Sequence, residues 1–236
     1  MTKLLASVKD KHEALMVLNA GVDIIDLKNP DQGALGALRY EDIAEIVALV
    51  NGAGITSATI GDLPMVPELI VQAMQSTAET GVDIVKVGFF PSARSLECIE
   101  AISALNQNGM KVVAVLFADR HPDFGLLDHF KHAGFFGVML DTAGKDGRHL
   151  LDHLPLSKAG VFIEQAKALG LVSGLAGSLR LDHLHVLKPL NPDYIGFRGA
   201  LCDEADRKLA LCDTRLQTLK SMLHKNNIAM QNAVHA

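Results

Sequence analysis

Three lysines and two aspartates stand at spacings suited to carbonyl chemistry: Asp26 and Lys28 in VDIIDLK, Lys86 in VDIVKVG, and Asp141 with Lys145 in LDTAGKDG. A lysine that attacks a carbonyl must be neutral, and with an ordinary pKa of about 10.4 only about one in a few thousand is neutral at pH 7. Burial or a neighbouring cation lowers that value, and a second lysine supplies the cation. A nearby carboxylate can then move protons as carbinolamine becomes imine. Asp26 opposes the lowering electrostatically, so its expected part is proton transfer and positioning. Structural readings compete: a salt bridge at a strand end for Asp26 and Lys28, a partner for one inward carboxylate for Lys86, and a solvated loop position for Lys145.

These residues can act together only if strands present them at one place. Val22 to Lys28 reads as a strand whose period of two puts Ile24, Asp26 and Lys28 on one face, with Ile25 and Leu27 on the other. The segment Asn29 to Ala37 that follows is a loop rich in turn residues. Val85 and Val87 flank Lys86, and Val138 and Leu140 take the parity opposite to Asp141, so the same alternation recurs. Four junctions, AGVDIIDLK, TGVDIVKVG, AGFFGVMLD and LGLVSGLAG, repeat a helix end, a glycine and a buried strand.

Strands are expected at 4–8, 22–28, 55–61, 83–88, 111–117, 137–141, 172–176 and 194–198. Helices are expected to end at Gly21 and to span 40–50, 66–80, 92–108, 125–133, 156–169, 179–188 and 203–224. Eight strand-helix units in 236 residues predict a single (β/α)8 barrel over 1–223, with an open doubly wound sheet as the alternative and 224–236 as a frayed tail.

Barrel active sites lie at the C-terminal ends of the strands. Ser7, Asp26, Lys28, Lys86, Asp141, Lys145 and Arg198 would then converge on one mouth. GLAGSL and GFRGALC follow the seventh and eighth strands, where barrels commonly bind phosphate on backbone N–H groups, so Gly177, Ser178, Arg198 and Gly199 are candidate phosphate ligands, with Ser7 at the end of the first strand as a further substrate- or phosphate-binding candidate. NPDQGALGA lacks the register of a dinucleotide site.

Ten histidines raise a metal-dependent alternative. His129/His132 and His149/His153 have helical ligand spacing, and His183/His185 forms HxH. These positions fall on helices or late loops away from the lysine-bearing strand ends, so no metal is expected. Asp119 and His121 follow the fifth strand with roles left open.

Composition sets the remaining limits. Apolar residues make up 49% and charged residues 21%, and the formal net charge is −5 without a basic block, which argues against nucleic acid or an anionic membrane as the main partner. No apolar run reaches the roughly 18 to 20 residues of a membrane span, and Met1-Thr2-Lys3 leads into strand-like sequence, so a cytoplasmic protein is expected. Cys98, Cys202 and Cys212 are odd in number and unpatterned, which fits reduced thiols. A mean hydropathy of +0.22 leaves apolar surface that a homo-oligomer would cover.

The runs LLASVKD, GVDIIDLKNPDQGALGA, VDIVKVGFF, GVMLDTAGKDG, GLAGSL and GFRGALC resemble the (5-formylfuran-3-yl)methyl phosphate synthase family, from Lys3 to about Leu211. The resemblance implies a TIM barrel that condenses two molecules of glyceraldehyde 3-phosphate into the furan precursor of methanofuran, releasing phosphate and water. It implies that Lys28, the lysine of the DLKNP motif, forms the Schiff base. By the same motifs it carries Asp26, Lys86, Asp141 and Lys145 into the site, and it calls for no cofactor. A Schiff-base aldolase for phosphorylated sugars and a non-catalytic phosphosugar-binding barrel are the rival readings.

Overall fold

In the computed structural model, the four repeated junctions adopt the backbone their glycines permit. Gly21, Gly81, Gly134 and Gly170 have φ of 68°, 83°, 77° and 67°, the left-handed geometry that ends a helix and turns the chain into the next strand. The structure describes residues 2–144 and 146–233, with side chains as far as Leu223. Lys145 therefore lies outside the described residues.

Eight parallel strands close into a barrel in sequence order: β1 (Lys3–Val8), β2 (Ile24–Leu27), β3 (Ile55–Thr59), β4 (Ile84–Phe89), β5 (Val112–Phe117), β6 (Gly137–Asp141), β7 (Val172–Leu175) and β8 (Tyr194–Phe197), with β8 paired to β1. The barrel reading holds, and the open sheet is excluded by that closing pair. Outside it run α1 (Lys11–Asn19), α2 (Tyr40–Val50), α3 (Pro67–Ala78), α4 (Ser95–Gln107), α5 (Leu126–His132), α6 (Leu150–His153), α7 (Leu156–Ala168), α8 (Leu184–Leu187) and α9 (Asp213–Ala233).

Strand parity divides the core in two. Leu4, Ala6, Ile25, Leu27, Val85, Val87, Val138 and Leu140 face the helices, whereas Leu5, Ile24, Ile84, Val113, Val115, Met139 and Tyr194 fill the barrel. Gly174 makes room inside: a Cβ there would lie 2.3 Å from the ring of Tyr194. Gly174→Ala is expected to destabilise the fold by about 1–3 kcal/mol, read as a lower denaturation midpoint.

The aspartate of the repeated GVD phrase works at the opposite end from the lysines. Asp23 accepts the N–H of Leu4 at 2.8 Å, Asp83 that of Thr56 at 2.7 Å, and Asp193, in NPD before β8, that of Ser173 at 2.8 Å. Each carboxylate satisfies a backbone donor at the N-terminal rim of the preceding strand. These aspartates build the barrel floor and leave the other rim for chemistry.

Two expected helices differ from the structure. The span 179–188 is broken into a 3₁₀ turn at Leu181–His183, the single turn of α8 and another 3₁₀ turn at Lys188–Leu190. His185 Nδ1 takes the Asp182 carbonyl, in competition with the helical ladder, and Pro189 lies in the final turn. The span 203–224 begins as a loop instead, because Glu204 and Ala205 sit at φ 51° and 57° and an antiparallel bridge joins Cys202 to Leu211. The helix starts only at Asp213. Its backbone remains helical through 224–233, part of the segment that the sequence reading set outside the barrel. No described helix is long and apolar enough to cross a membrane.

Candidate active site

Register brings the lysine-bearing strand ends together. Asp26 on β2 pairs across to Ser7 on β1 and Ser57 on β3, and Thr59 on β3 lies beside Lys86 on β4. Inside the barrel, Asp26 Oδ2 accepts from Ser7 Oγ at 2.8 Å, and Asp26 Oδ1 accepts from Ser57 Oγ at 2.7 Å and from Lys86 Nζ at 3.0 Å. Asp26 is 0% and Lys86 2% exposed. Burial pushes the Asp26 carboxyl up. The charges of Lys86 and Lys28, with the two serine hydroxyls, outweigh that effect and hold it below the usual carboxylate range. Asp26 is thus kept ionised in a dry place.

Above this pair, Lys28 and Asp141 meet across the barrel. Lys28 Nζ lies 3.4 Å from Asp141 Oδ2, and both side chains are buried. The N–H of Thr142 donates to Asp141 Oδ1 at 2.7 Å and fixes the carboxylate. The lysines are therefore each matched by an aspartate, Lys86 with Asp26 and Lys28 with Asp141.

A cavity of about 750 Å³ opens over these groups, lined by Ser7, Asp26, Lys28, Lys86 and Asp141 below and by the turns after β7 and β8 above. The N–H groups of Gly177, Ser178, Gly199 and Ala200 have no acceptor among the described residues. They can receive an anion. No side chain fits at Gly177, where a Cβ would lie 2.9 Å from Thr142 Cγ2.

Arg198 departs from its expected role as a phosphate ligand. Its five N–H groups are used within the protein: Nε donates to the Arg207 carbonyl, Nη1 to the Ser7 carbonyl and Glu13, and Nη2 to Glu13 and the Leu209 carbonyl. The side chain is a strap joining α1, β1 and the 206–209 loop. Ser7 likewise serves Asp26 with its hydroxyl.

Two loop anchors complete the mouth. Asp62 accepts the N–H groups of Ala34 and Leu35 at 2.7 and 2.8 Å, which tucks Leu35 into the barrel interior against Gly88 and Phe117. The Asn29–Ala37 loop is therefore a plug. Asp119 accepts the N–H groups of Ala143 and Gly144 at 2.7 and 2.8 Å, just before Lys145 in the chain. Burial raises the Asp119 carboxyl, and those two donors more than offset it, so it stays below the usual range. Asp119→Ala is expected to lower turnover about tenfold through misplacement of this loop while the barrel stays folded, measured by steady-state rates beside thermal melts.

His121 is not in this cavity; it lines a second one of about 500 Å³ with Phe90, Phe117, Arg120 and His129. His149 and His183 pack ring against ring, 4.1 Å between centroids, and His132 bonds the Asp128 carbonyl. Among the described residues no three His, Cys, Asp or Glu side chains are grouped to hold a metal. Cys98, Cys202 and Cys212 are free thiols.

Ser57 and Arg207 were not singled out from sequence. Ser57 carries no charge, and only the register between β2 and β3 shows that it faces Asp26.

A closed (β/α)8 barrel with buried, paired lysines and aspartates under a cavity at the C-terminal rim defines an enzyme of the TIM-barrel class. Residues 4–220 match the family model described as 4-HFC-P synthase, and the chain belongs to that family. It is 37% identical over 217 residues to the (5-formylfuran-3-yl)methyl phosphate synthase of Methanopyrus kandleri, spanning 87% of this chain and 91% of that one. The enzyme of the same name from Methanococcus maripaludis strain C6 is 35% identical over 217 residues, 86% of this chain and 91% of its own. Among solved structures, phosphoribosyl anthranilate isomerase from Thermus thermophilus superposes with a TM-score of 0.67 at 14% identity, over 95% of this chain and 99% of that one. That likeness is one of fold.

Proposed function

We propose that this synthase joins two molecules of glyceraldehyde 3-phosphate through a Schiff base on Lys28. The observation that carries the reading is the buried pairing of Lys28 with Asp141, 3.4 Å apart beneath a cavity edged by unbonded backbone N–H groups. Lys28 Nζ attacks the aldehyde carbon of one triose phosphate, and loss of water gives the imine. Removal of a proton from the adjacent carbon by Asp141 or Lys145 sends the C–H electrons toward the iminium nitrogen and leaves an enamine. The enamine carbon attacks the second aldehyde, forming the new carbon-carbon bond.

Phosphate elimination, ring closure with loss of water, and hydrolysis of the imine, which takes back the water expelled when the imine formed and frees Lys28, then yield (5-formylfuran-3-yl)methyl phosphate. No electrons are exchanged with an outside carrier in this sequence. Asp26, ionised between Lys86 and two serines, sets the field around Lys28 and relays protons. Gly177, Ser178 and Gly199 hold the retained phosphate on backbone N–H groups. The product is the furan unit of methanofuran, made in the cytoplasm by a homo-oligomer.

The test is to incubate the purified protein with glyceraldehyde 3-phosphate alone and follow furan-aldehyde absorbance and inorganic phosphate together. A parallel rise is expected. If neither moves and borohydride still traps substrate on Lys28, the protein is a Schiff-base aldolase with another acceptor. If binding occurs with no adduct, the barrel is a phosphosugar binder.

A further inference from the structure

Arg207 lies in the loop between the Cys202–Leu211 bridge, on the rim of the main cavity. Its contacts are the reverse of those of Arg198. One N–H, on Nη2, donates to the Gly33 carbonyl at 3.1 Å, and its remaining guanidinium N–H groups have no acceptor among the described residues. Gly33 belongs to the plug after β2, so the side chain reaches across the mouth from the β8 side toward the β2 side.

The backbone beneath Arg207 is held firmly. Arg198 Nε donates to the Arg207 carbonyl at 2.8 Å, and Arg198 Nη2 to that of Leu209 at 3.0 Å. The Arg207 N–H region packs beside Gly199, where a Cβ would lie 3.8 Å from Arg207 N. Gly199 and Ala200 are also where the unbonded backbone donors stand. A half-buried guanidinium with spare donors beside unbonded N–H groups suits a dianionic oxygen cluster far better than a neutral ligand. Burial lowers the pKa of Arg207 from its ordinary value, with Asp141 opposing that effect, which marks a cation partly out of water.

We propose that Arg207 binds the phosphate monoester of a triose phosphate substrate at the mouth of the barrel, trading its contact with Gly33 for a paired contact to phosphate oxygens. Arg198 acts on this site only as the strap that aims Arg207. The proposal rests on the triose phosphate reading above and adds a residue that selects phosphorylated over free aldehydes.

The experiment uses Arg207→Ala and Arg207→Lys in the full chain. Calorimetric titration with glycerol 3-phosphate, which carries the ester but no carbonyl, is expected to show Kd raised about tenfold or more in Arg207→Ala, with Arg207→Lys between it and the parent. The melting temperature should not change, because Arg198 grips backbone carbonyls that the substitution leaves in place. Borohydride trapping of unphosphorylated glyceraldehyde should proceed equally in parent and variant, whereas half-maximal trapping of glyceraldehyde 3-phosphate should need more substrate in the variant.

A glycerol 3-phosphate Kd within twofold of the parent overturns the proposal. So does weakened binding of inorganic phosphate alone, which would assign Arg207 to the released ion. Failure of the parent to form any borohydride adduct would instead strike the Schiff-base reading, and the glycerol 3-phosphate titration would still decide the role of Arg207.

Discussion

Lys28→Arg should lose turnover by roughly 10⁴-fold or more and form no borohydride adduct, while its melting temperature stays near that of the parent. Arginine keeps a cation opposite Asp141, so the buried carboxylate retains a partner and the fold does not suffer from an unpaired charge. What it cannot do is lose a proton: a guanidinium stays protonated at any working pH and offers no lone pair to a carbonyl. The substitution therefore separates charge from nucleophilicity at one position. Lys28→Met would remove both and leave Asp141 facing its lost partner, which confuses the two effects. Peptide mapping of the reduced adduct in the parent should place the added mass on Lys28. Adduct retained by Lys28→Arg, mapped to Lys86 or Lys145, would transfer the chemistry to that lysine and overturn the assignment.

The side-chain parity that supports this prediction was legible without coordinates. Asp26 and Lys28 share a face because they are two apart in a strand, Lys86 sits between Val85 and Val87, and Asp141 follows the alternation of Val138 and Leu140, all four of which meet the helices. Pairing was not legible. Which aspartate meets which lysine depends on barrel closure, and Lys28 to Asp141 joins residues 113 apart in sequence.

The misreading of Arg198 has the same origin. Small residues around it in GFRGALC resemble an anion turn, yet its carboxylate partner, Glu13, is 185 residues away at the start of α1. Nothing local announces that contact. Arg207, by contrast, stood in a stretch whose apolar spacing read as the start of a helix, and only the left-handed pair Glu204 and Ala205 turns that stretch into a loop over the mouth. The plug was half visible: its glycines and proline marked a loop, whereas the descent of Leu35 into the barrel requires Asp62 beyond β3 to hold it.

The second large effect concerns Asp26, where charge, burial and chemistry coincide. Asp26→Asn leaves Lys86 at 2% exposure without its countercharge, and breaking such a buried pair costs about 3–5 kcal/mol. Its pH dependence has a definite sign. The folded carboxyl lies below its ordinary 3.8, so in the parent its contacts contribute stability that is complete above that value and is lost as pH falls through the folded pKa. The stability gap between parent and Asp26→Asn should thus be widest near neutrality and narrow in acid below about pH 4, traced by urea midpoints across pH.

Activity should vanish in the same variant, and the double variant Asp26→Asn/Lys86→Met shows whether instability is the reason. Methionine removes the orphaned charge with similar volume, so most of the lost stability should return. Turnover should remain absent, because the Asp26 carboxylate and the Lys86 ammonium that together set the field beneath Lys28 are both gone, and Asp141 alone does not replace the relay through Asp26. A double variant that regained both stability and turnover would make Asp26 a purely structural counterion and return the proton transfers to Asp141 and Lys145.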